Sequence, residues 1–534
     1  MKSIKRYATY LILLAASVTI HADHALTGQI TDVRTGNFIP ARLYIQSLDT
    51  KAFFHAESAS PKGSAVHYNV KRFETSLEIH TTLSAHPFES TLPSGRYEVT
   101  VVHGKEYLEQ TKTIEIKDAP VHLEFKLKRF ANASARHYYS GDTHTHRPVK
   151  DLPNIMLAED LNVALPLSYW SRRAEAVPEL IPNTTPPGNQ LIQVDSTHVI
   201  HAMNTEYEPN NVNGQRHQLG GVFVLNHQKL LTRNGLDLEA VAREAHAQGA
   251  MLDLDKHSWP WSLMLVPIMD IDLYPLSNNH VWRTQFGFNK WTTQMIPDYM
   301  KLESDERGFT EESWVDFGHK IYYTLLNCGF RMRVTAGTAS GVHPVPFGFS
   351  RVYVNLPNGF NYDDWCKGLN AGQSFVTTGP MLYAKFNGKL AGHTFGEIKK
   401  MNIIATIESA HPISRIEAVS NGKVVSVIKP ANGKLETGAY TNSVDWATEV
   451  ASSSWFALRC YEELPSGRTR FAHTSPVHVD IPGKPLRPDK QEVQYLINRM
   501  TQEIARNKGV LPESGVNEYR KALKIYQGLM KTAK

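Results

Sequence analysis

Cysteine is almost missing from this chain: Cys328, Cys366 and Cys460 are the whole complement of a 534-residue sequence. Three widely spaced thiols make no disulfide framework, and at least one must stay unpaired within the chain. None follows the N-terminal segment closely enough to serve as a lipid-modified cysteine. Dense blocks of lysine and arginine are missing too. The net charge of +5 is spread over the whole length, which removes the electrostatic case for a nucleic-acid partner. Past the N-terminus no hydrophobic run reaches the roughly 20 residues of a membrane span, so none is expected in the mature chain. Internal repeats and low-complexity tracts are absent as well.

What is present reads as globular, with 41% apolar and 20% charged residues. The length exceeds what one hydrophobic core supports and predicts several domains. Residues 1–22 read as a secretory signal. Lys2, Lys5 and Arg6 form a basic start, Tyr7 to Ile20 an apolar run, and His21-Ala22 a small-residue cleavage site. An uncleaved anchor is the alternative reading. The expected location is periplasmic or secreted.

Residues 23–130 show short alternating runs such as Ala41 to Ile45 and Tyr97 to Val101, separated by turn clusters at Arg34 to Asn37 and Pro93 to Gly95. That order, with Gly28 to Asp32 and Pro40-Ala41, resembles the carboxypeptidase regulatory-like β-sandwich. Residues 131–380 alternate helical stretches such as Leu236 to Gln248 with short apolar runs such as Val222 to Leu225 and Met251 to Leu254, the rhythm of a βα-repeating domain. Residues 381–482 read as a second β-sandwich. Residues 483–534 read as a helical hairpin packed on the body. One stripe carries Val493, Leu496, Ile497, Met500 and Ile504, the other Tyr519, Leu523, Tyr526 and Met530. The fold class is therefore multidomain α/β plus β.

The sharpest chemical signal is Gly141-Asp142-Thr143-His144-Thr145-His146. On a strand, residues i and i+2 point to one face, so His144 and His146 offer two imidazoles to one cation, and imidazole suits Zn, Mn or Fe. Asp142 reads as a group orienting an imidazole. Asp151 reads either as part of the metal shell or as a helix cap, and Glu159 either as a ligand or as a solvated helix residue.

The stretch from Gly141 to Trp170 resembles the opening of PHP-superfamily metal-dependent hydrolases, in particular the CehA/McbA-like branch. The likeness continues through Asn204-Thr205-Glu206, Gly220 to Leu225, Gly249 to His257, Gly337 to His343 and Phe375 to Pro380. It implies a PHP-like distorted (β/α)7 barrel flanked by the two sandwiches. The resemblance gives a metal-ligand set of His144, His146, Glu206, Glu159 and His280. Several motifs depart from the family pattern. Ser168-Tyr169 stands for Asp-His, Gly220-Gly221 for Gly-His, Ala339 for an aspartate, and Lys256 for an imidazole. These replacements imply one divalent transition metal rather than two or three.

Around that ion, Lys256, Arg147 and His257 form the candidate catalytic group, as oxyanion-stabilising cations, a proton donor or a pocket wall. Trp259, Trp261, Trp170, Tyr169, Asn279, Arg283 and His343 form the candidate substrate wall, where aromatic rings suit sugars or aromatic leaving groups. The expected partner is a small-molecule or glycan substrate, and the expected chemistry metal-assisted hydrolysis of a glycan-derived or ester/phosphoester substrate. A metal-depleted barrel that binds carbohydrate, or a lyase using Lys256 and Tyr169, are the alternatives.

Overall fold

A computed structural model of the chain describes residues 23–73, 76–181, 191–279, 281, 283, 286 and 296–534. The secretory-signal reading of 1–22 and the ligand reading of His280 lie outside the described residues.

The N-terminal region is built from two sheets. One runs in the order Val121–Leu127, Asp23–Asp32, Phe88–Pro93, Glu57–Ser58; the other in the order Ala65–Phe73, Ser76–Leu83, Ala41–Ser47, Gly95–Val102, Gln110–Ile116. Alternate residues of Asp23–Asp32 are buried, and Leu26, Ile30, Leu43, Ile45, Val99 and Phe125 share one core between the sheets. Gly28 is required there, because a Cβ would sit 2.4 Å from the Phe88 ring.

Two further sheets carry the middle of the chain. In one, Tyr138–Thr145 pairs in parallel with Val163–Pro166, and that strand pairs in parallel with Val199–His201. In the other, Met251–Leu254, Leu273–Ser277 and Arg333–Ala336 run parallel. Parallel neighbours need crossovers. Helices α1 (Leu152–Ala158), α3 (Ser262–Met269) and α4 (Glu311–Asn327) supply three of them, the crossover between Val163–Pro166 and Val199–His201 carries only short strands among the described residues, and α2 (Leu238–His246) links antiparallel strands. Helix α5 (Tyr362–Asn370) joins Arg351–Asn355 to Ser374–Thr377. The two sheets meet where Thr145 bridges Ser340.

The boundary expected near residue 380 is not a break in hydrogen bonding. Phe375 to Thr377 pair with Thr474 to Ala472, so the first middle sheet runs on into Thr469–Thr474, Ser454–Glu463 and Ile413–Ser420. A separate sheet of Met381–Phe386, Lys400–Ser409 and Tyr440–Glu449 covers it around Met381, Ile403, Ile416 and Leu458. Helices α6 (Lys490–Asn507) and α7 (Glu513–Met530) form the hairpin read from the sequence, with Val493, Leu496, Met500, Tyr519 and Tyr526 buried. Glu518 accepts the backbone N–H groups of Leu238 (2.8 Å) and Glu239 (3.1 Å), capping α2 from a distant segment. All three cysteines are free and buried.

Candidate metal centre

Every residue of Tyr138–Thr145 is buried. Close packing explains the glycine at 141, where a Cβ would sit 2.3 Å from the Trp365 ring. After Asp142 the backbone is clamped by the loop behind Arg333–Ala336. His144 O accepts from Thr338 N (3.1 Å) and Ala339 N (2.6 Å), and Ser340 O accepts from His146 N (2.7 Å). Asp142 serves this clamp rather than an imidazole. It accepts from the N–H groups of His144 (3.0 Å), Gly348 (3.0 Å) and Thr338 (3.2 Å) and from Thr338 Oγ1 (2.6 Å). Burial nevertheless pushes its carboxyl up to about 6.

The clamp sets the two imidazoles. Asn278 Nδ2 donates to the carbonyl and to Oδ1 of Asp255 (2.8 and 2.9 Å), which turns Asn278 Oδ1 toward His144. His144 Nδ1 donates to that oxygen at 2.6 Å, so the proton sits on Nδ1 and Nε2 presents a lone pair. His144 Nε2 lies 3.2 Å from His146 Nε2, and His146 Nε2 lies 3.4 Å from Glu206 Oε2. Phe223 packs on His144 with ring centroids 4.3 Å apart, and Trp170 stacks on His146 at 5.2 Å. Glu206 faces the same interior as Trp170 and Phe223, its register partners on either side.

Burial holds both histidines far below the ordinary imidazole range, with Lys256 adding to the effect. Glu206 is pushed well above the ordinary carboxylate range by burial and then by Glu208 and Asp255. His146 Nδ1 and Glu206 Oε2 are buried without a hydrogen-bond partner. Buried atoms without partners recur elsewhere in the structure, so the spacing of the ligand atoms carries more weight. Ligands about 2.0–2.1 Å from a tetrahedral cation stand about 3.3–3.4 Å apart, which the observed spacings match. The donor set therefore fits a divalent transition metal.

A second group adjoins the first. Glu206, Glu208 and Asp255 bring oxygens within 4.8 Å of one another. Glu206 and Glu208 share a strand face, and Asp255 follows Met251–Leu254. Gly221 makes room for it, since a Cβ there would meet Asp255 Oδ2 at 2.4 Å. Gly221 thus admits a carboxylate from the neighbouring strand. Lys256 Nζ contacts Asp255 Oδ2, stands 3.8 Å from Glu208 Oε1 and lies 4.0 Å above the Trp259 ring. Burial alone would lower its pKa, but Asp255, Glu208 and Glu206 outweigh that and hold it above the ordinary value.

At the edge, Arg172 lies 3.7 Å over Trp170. Asn279 Nδ2 is 2.9 Å from His343 Nε2, and Arg72 Nη1 reaches the same ring at 2.8 Å from Nδ1. Arg72 and Tyr68, whose hydroxyl donates to His343 O at 2.6 Å, both belong to Ala65–Phe73 of the N-terminal region. His144, His146, Glu206, Lys256, Trp170, Trp259, Asn279 and His343 are thus brought together or into adjacent shells.

Other expected residues go elsewhere. Glu159 is not a ligand: its carboxylate pairs with Arg42, and Arg351 Nη2 stands 3.8 Å away. Arg147 turns from the centre and lies 4.2 Å over the Tyr68 ring. Arg283 donates to Glu78 at 3.0 Å and stacks on Tyr44 at 4.1 Å. His257 is buried among Tyr274, Trp314 and Phe317, where burial lowers its pKa to about 3. Trp261 is 1% exposed and packs on Gly220, whose Cβ would meet it at 2.2 Å. Tyr169, one residue from Trp170, takes the opposite face of its strand and approaches His227. Asp151 precedes α1, but its side chain caps no N–H.

Sequence reading missed Asn278, Asp255, Glu208, Arg172 and Arg72. Only Glu208 carried a signal, two residues beyond Glu206 on one strand.

No family profile and no curated protein matches the chain. Among solved structures, fibronectin(III)-like modules of Clostridium thermocellum CbhA are 26% identical, covering 19% of this chain and 96% of theirs with a TM-score of 0.14. Parabacteroides merdae beta-glucuronidase is 10% identical, covering 83% of this chain and 60% of its own at a TM-score of 0.17. The pilus-presented adhesin Spy0125 (Cpa) is 7% identical, covering 87% of this chain and 100% of its own at 0.14. Overlaps this low decide nothing about fold or activity.

Proposed function

We propose that the chain is an exported metal-dependent hydrolase whose middle region is a PHP-like barrel of the CehA/McbA-like type. The observation that carries this reading is the convergence of His144 Nε2, His146 Nε2 and Glu206 Oε2, with 3.2 Å between the imidazoles, 3.4 Å from His146 to Glu206, and Glu206 Oε2 buried without a hydrogen-bond partner. The parallel runs with helical crossovers, and the placing of His144, Asp255 and Asn278 at or just past strand ends, agree with a barrel site.

His144, His146 and Glu206 would hold one Zn, Mn or Fe ion. Such an ion supplies Lewis acidity, polarising a substrate oxygen and acidifying water. Asn278 keeps the His144 proton on Nδ1. Lys256, kept protonated by its three carboxylates, presents N–H donors toward a developing oxyanion and is not available as a base. Trp170 and Trp259 wall the approach, each with a cation on its face. Arg72, Arg172 and Lys256 favour an ester or phosphoester, glycan-derived or otherwise, with anionic character near the cleaved bond.

Elemental analysis of native full-length protein, from cells supplied with Zn, Mn and Fe, should find one transition-metal ion per chain. His144→Ala should lose that ion together with hydrolysis of 4-nitrophenyl esters or phosphates. Metal-free protein that binds glycans, weakened by Trp259→Ala and indifferent to His144→Ala, would overturn the reading in favour of a carbohydrate-binding barrel.

A further inference from the structure

Glu206 belongs to both groups of donors: its Oε2 lies 3.4 Å from His146 Nε2, and it offers an oxygen within 4.8 Å of Glu208 and Asp255 oxygens. A carboxylate in that position is what bridges two cations a few ångströms apart. The carboxylate trio, with oxygens within 4.8 Å of one another, is laid out for a hard divalent ion. Its interior is already taken by Lys256 Nζ, against Asp255 Oδ2 and 3.8 Å from Glu208 Oε1. The Trp259 face, 4.0 Å from the ammonium, closes the far side.

We propose that the Lys256 ammonium stands in for a second metal ion, so that a centre laid out for two cations holds one. The inference rests on reading His144, His146 and Glu206 as the site of the first. Charge balance supports it. Three carboxylates, one ammonium and one divalent ion sum to zero, whereas a second divalent ion beside the ammonium would leave a buried excess of two positive charges. Removing the ammonium lowers the excess that a second divalent ion would leave from two positive charges to one and vacates the oxygen cage. The Lys256 side chain is 13% exposed, so an incoming ion has a path from solvent.

The test is metal stoichiometry, measured on full-length protein loaded with Mn2+, desalted and assayed by elemental analysis. Lys256→Met keeps the length of the stem and should carry one more Mn2+ per chain than the wild type. Lys256→Arg keeps the charge and should carry no more than the wild type. Adding Glu208→Gln to Lys256→Met should remove the extra ion. Equal stoichiometry in Lys256→Met and wild type, or two ions in the wild type, would overturn the proposal. A wild type with no bound ion would refute both the hydrolase reading and the proposal, whereas one ion in the wild type and one in Lys256→Met would refute the proposal alone. If Lys256→Met does not fold, Mn2+ titration of the wild type decides: one saturating class supports the proposal, and two classes sink it.

Discussion

Two clusters of buried charge sit in this molecule, and they are satisfied in opposite ways. At the junction of the N-terminal and middle regions, opposite charges meet, Arg42 with Glu159 and Arg283 with Glu78, and Glu78 also takes neutral His80 and the Tyr44 hydroxyl as hydrogen-bond partners. At the candidate metal centre, atoms able to ligate a metal crowd together instead, with His144 Nε2 3.2 Å from His146 Nε2 and Glu206 Oε2 3.4 Å beyond. The first arrangement pairs each carboxylate with a protein cation, although Arg42 Nε stays without a hydrogen-bond partner. The second asks for a cation. Burial of charge therefore does not mark function by itself; the sign of what each charge faces does.

The comparison breaks most sharply at Glu159. Glu159→Ala leaves Arg42 buried without its carboxylate, and loss of one partner of a buried pair removes about 3–5 kcal/mol of stability. Urea denaturation should show this loss, while the folded fraction keeps the wild-type metal content. Loss of metal with stability intact would return Glu159 to the ligand set.

This contrast also shows what was legible in the sequence. His144 and His146 were readable because strand geometry alone puts i and i+2 on one face. Glu206 was readable from its place in the motif order, and the helical hairpin from its apolar stripes. Glu159, Arg147 and Arg283 were misread because a charge close to the motif in sequence carries no information about which domain it faces. Their partners, Glu78, Tyr44, Arg42 and Tyr68, lie at least 60 residues upstream. Asp255 and Asn278 were hidden for a related reason. Their roles depend on cross-strand register and on the space left at Gly221, neither of which leaves a local pattern.

Asn278 sharpens the comparison at the next level down. It holds no metal itself, but it fixes the tautomer of His144 through a 2.6 Å bond. Asn278→Ala should leave the fold intact and weaken metal affinity about 10–100-fold, the usual effect of removing a group behind a histidine ligand. Competition with a metal-binding dye measures it. Asn278→Asp, which sets a second carboxylate oxygen against Asp255 in place of the amide donor, should not restore the affinity. Unchanged affinity in Asn278→Ala would mean that the clamp alone orients the imidazole.

Glu518 lies between the two clusters in kind, and its expected effect is the smallest. Its buried carboxylate accepts from the N–H groups at the start of α2, with the Asp237 and Glu239 carboxylates also acting on it. Those dipoles do not offset desolvation, and burial raises its pKa from 4.5 to about 7. The folded state then binds a proton more tightly than the unfolded chain, so this group's contribution to stability falls as pH rises from about 4.5 to about 7 and is level outside that window. Glu518→Gln stays neutral and keeps an acceptor for one N–H. The variant's stability relative to wild type should therefore climb between pH 5 and pH 8, read as a difference in urea midpoints. A difference that is flat across that range would mean the helix terminus stabilises the ionised carboxylate in full, which would place Glu518 with the satisfied charges of the domain junction.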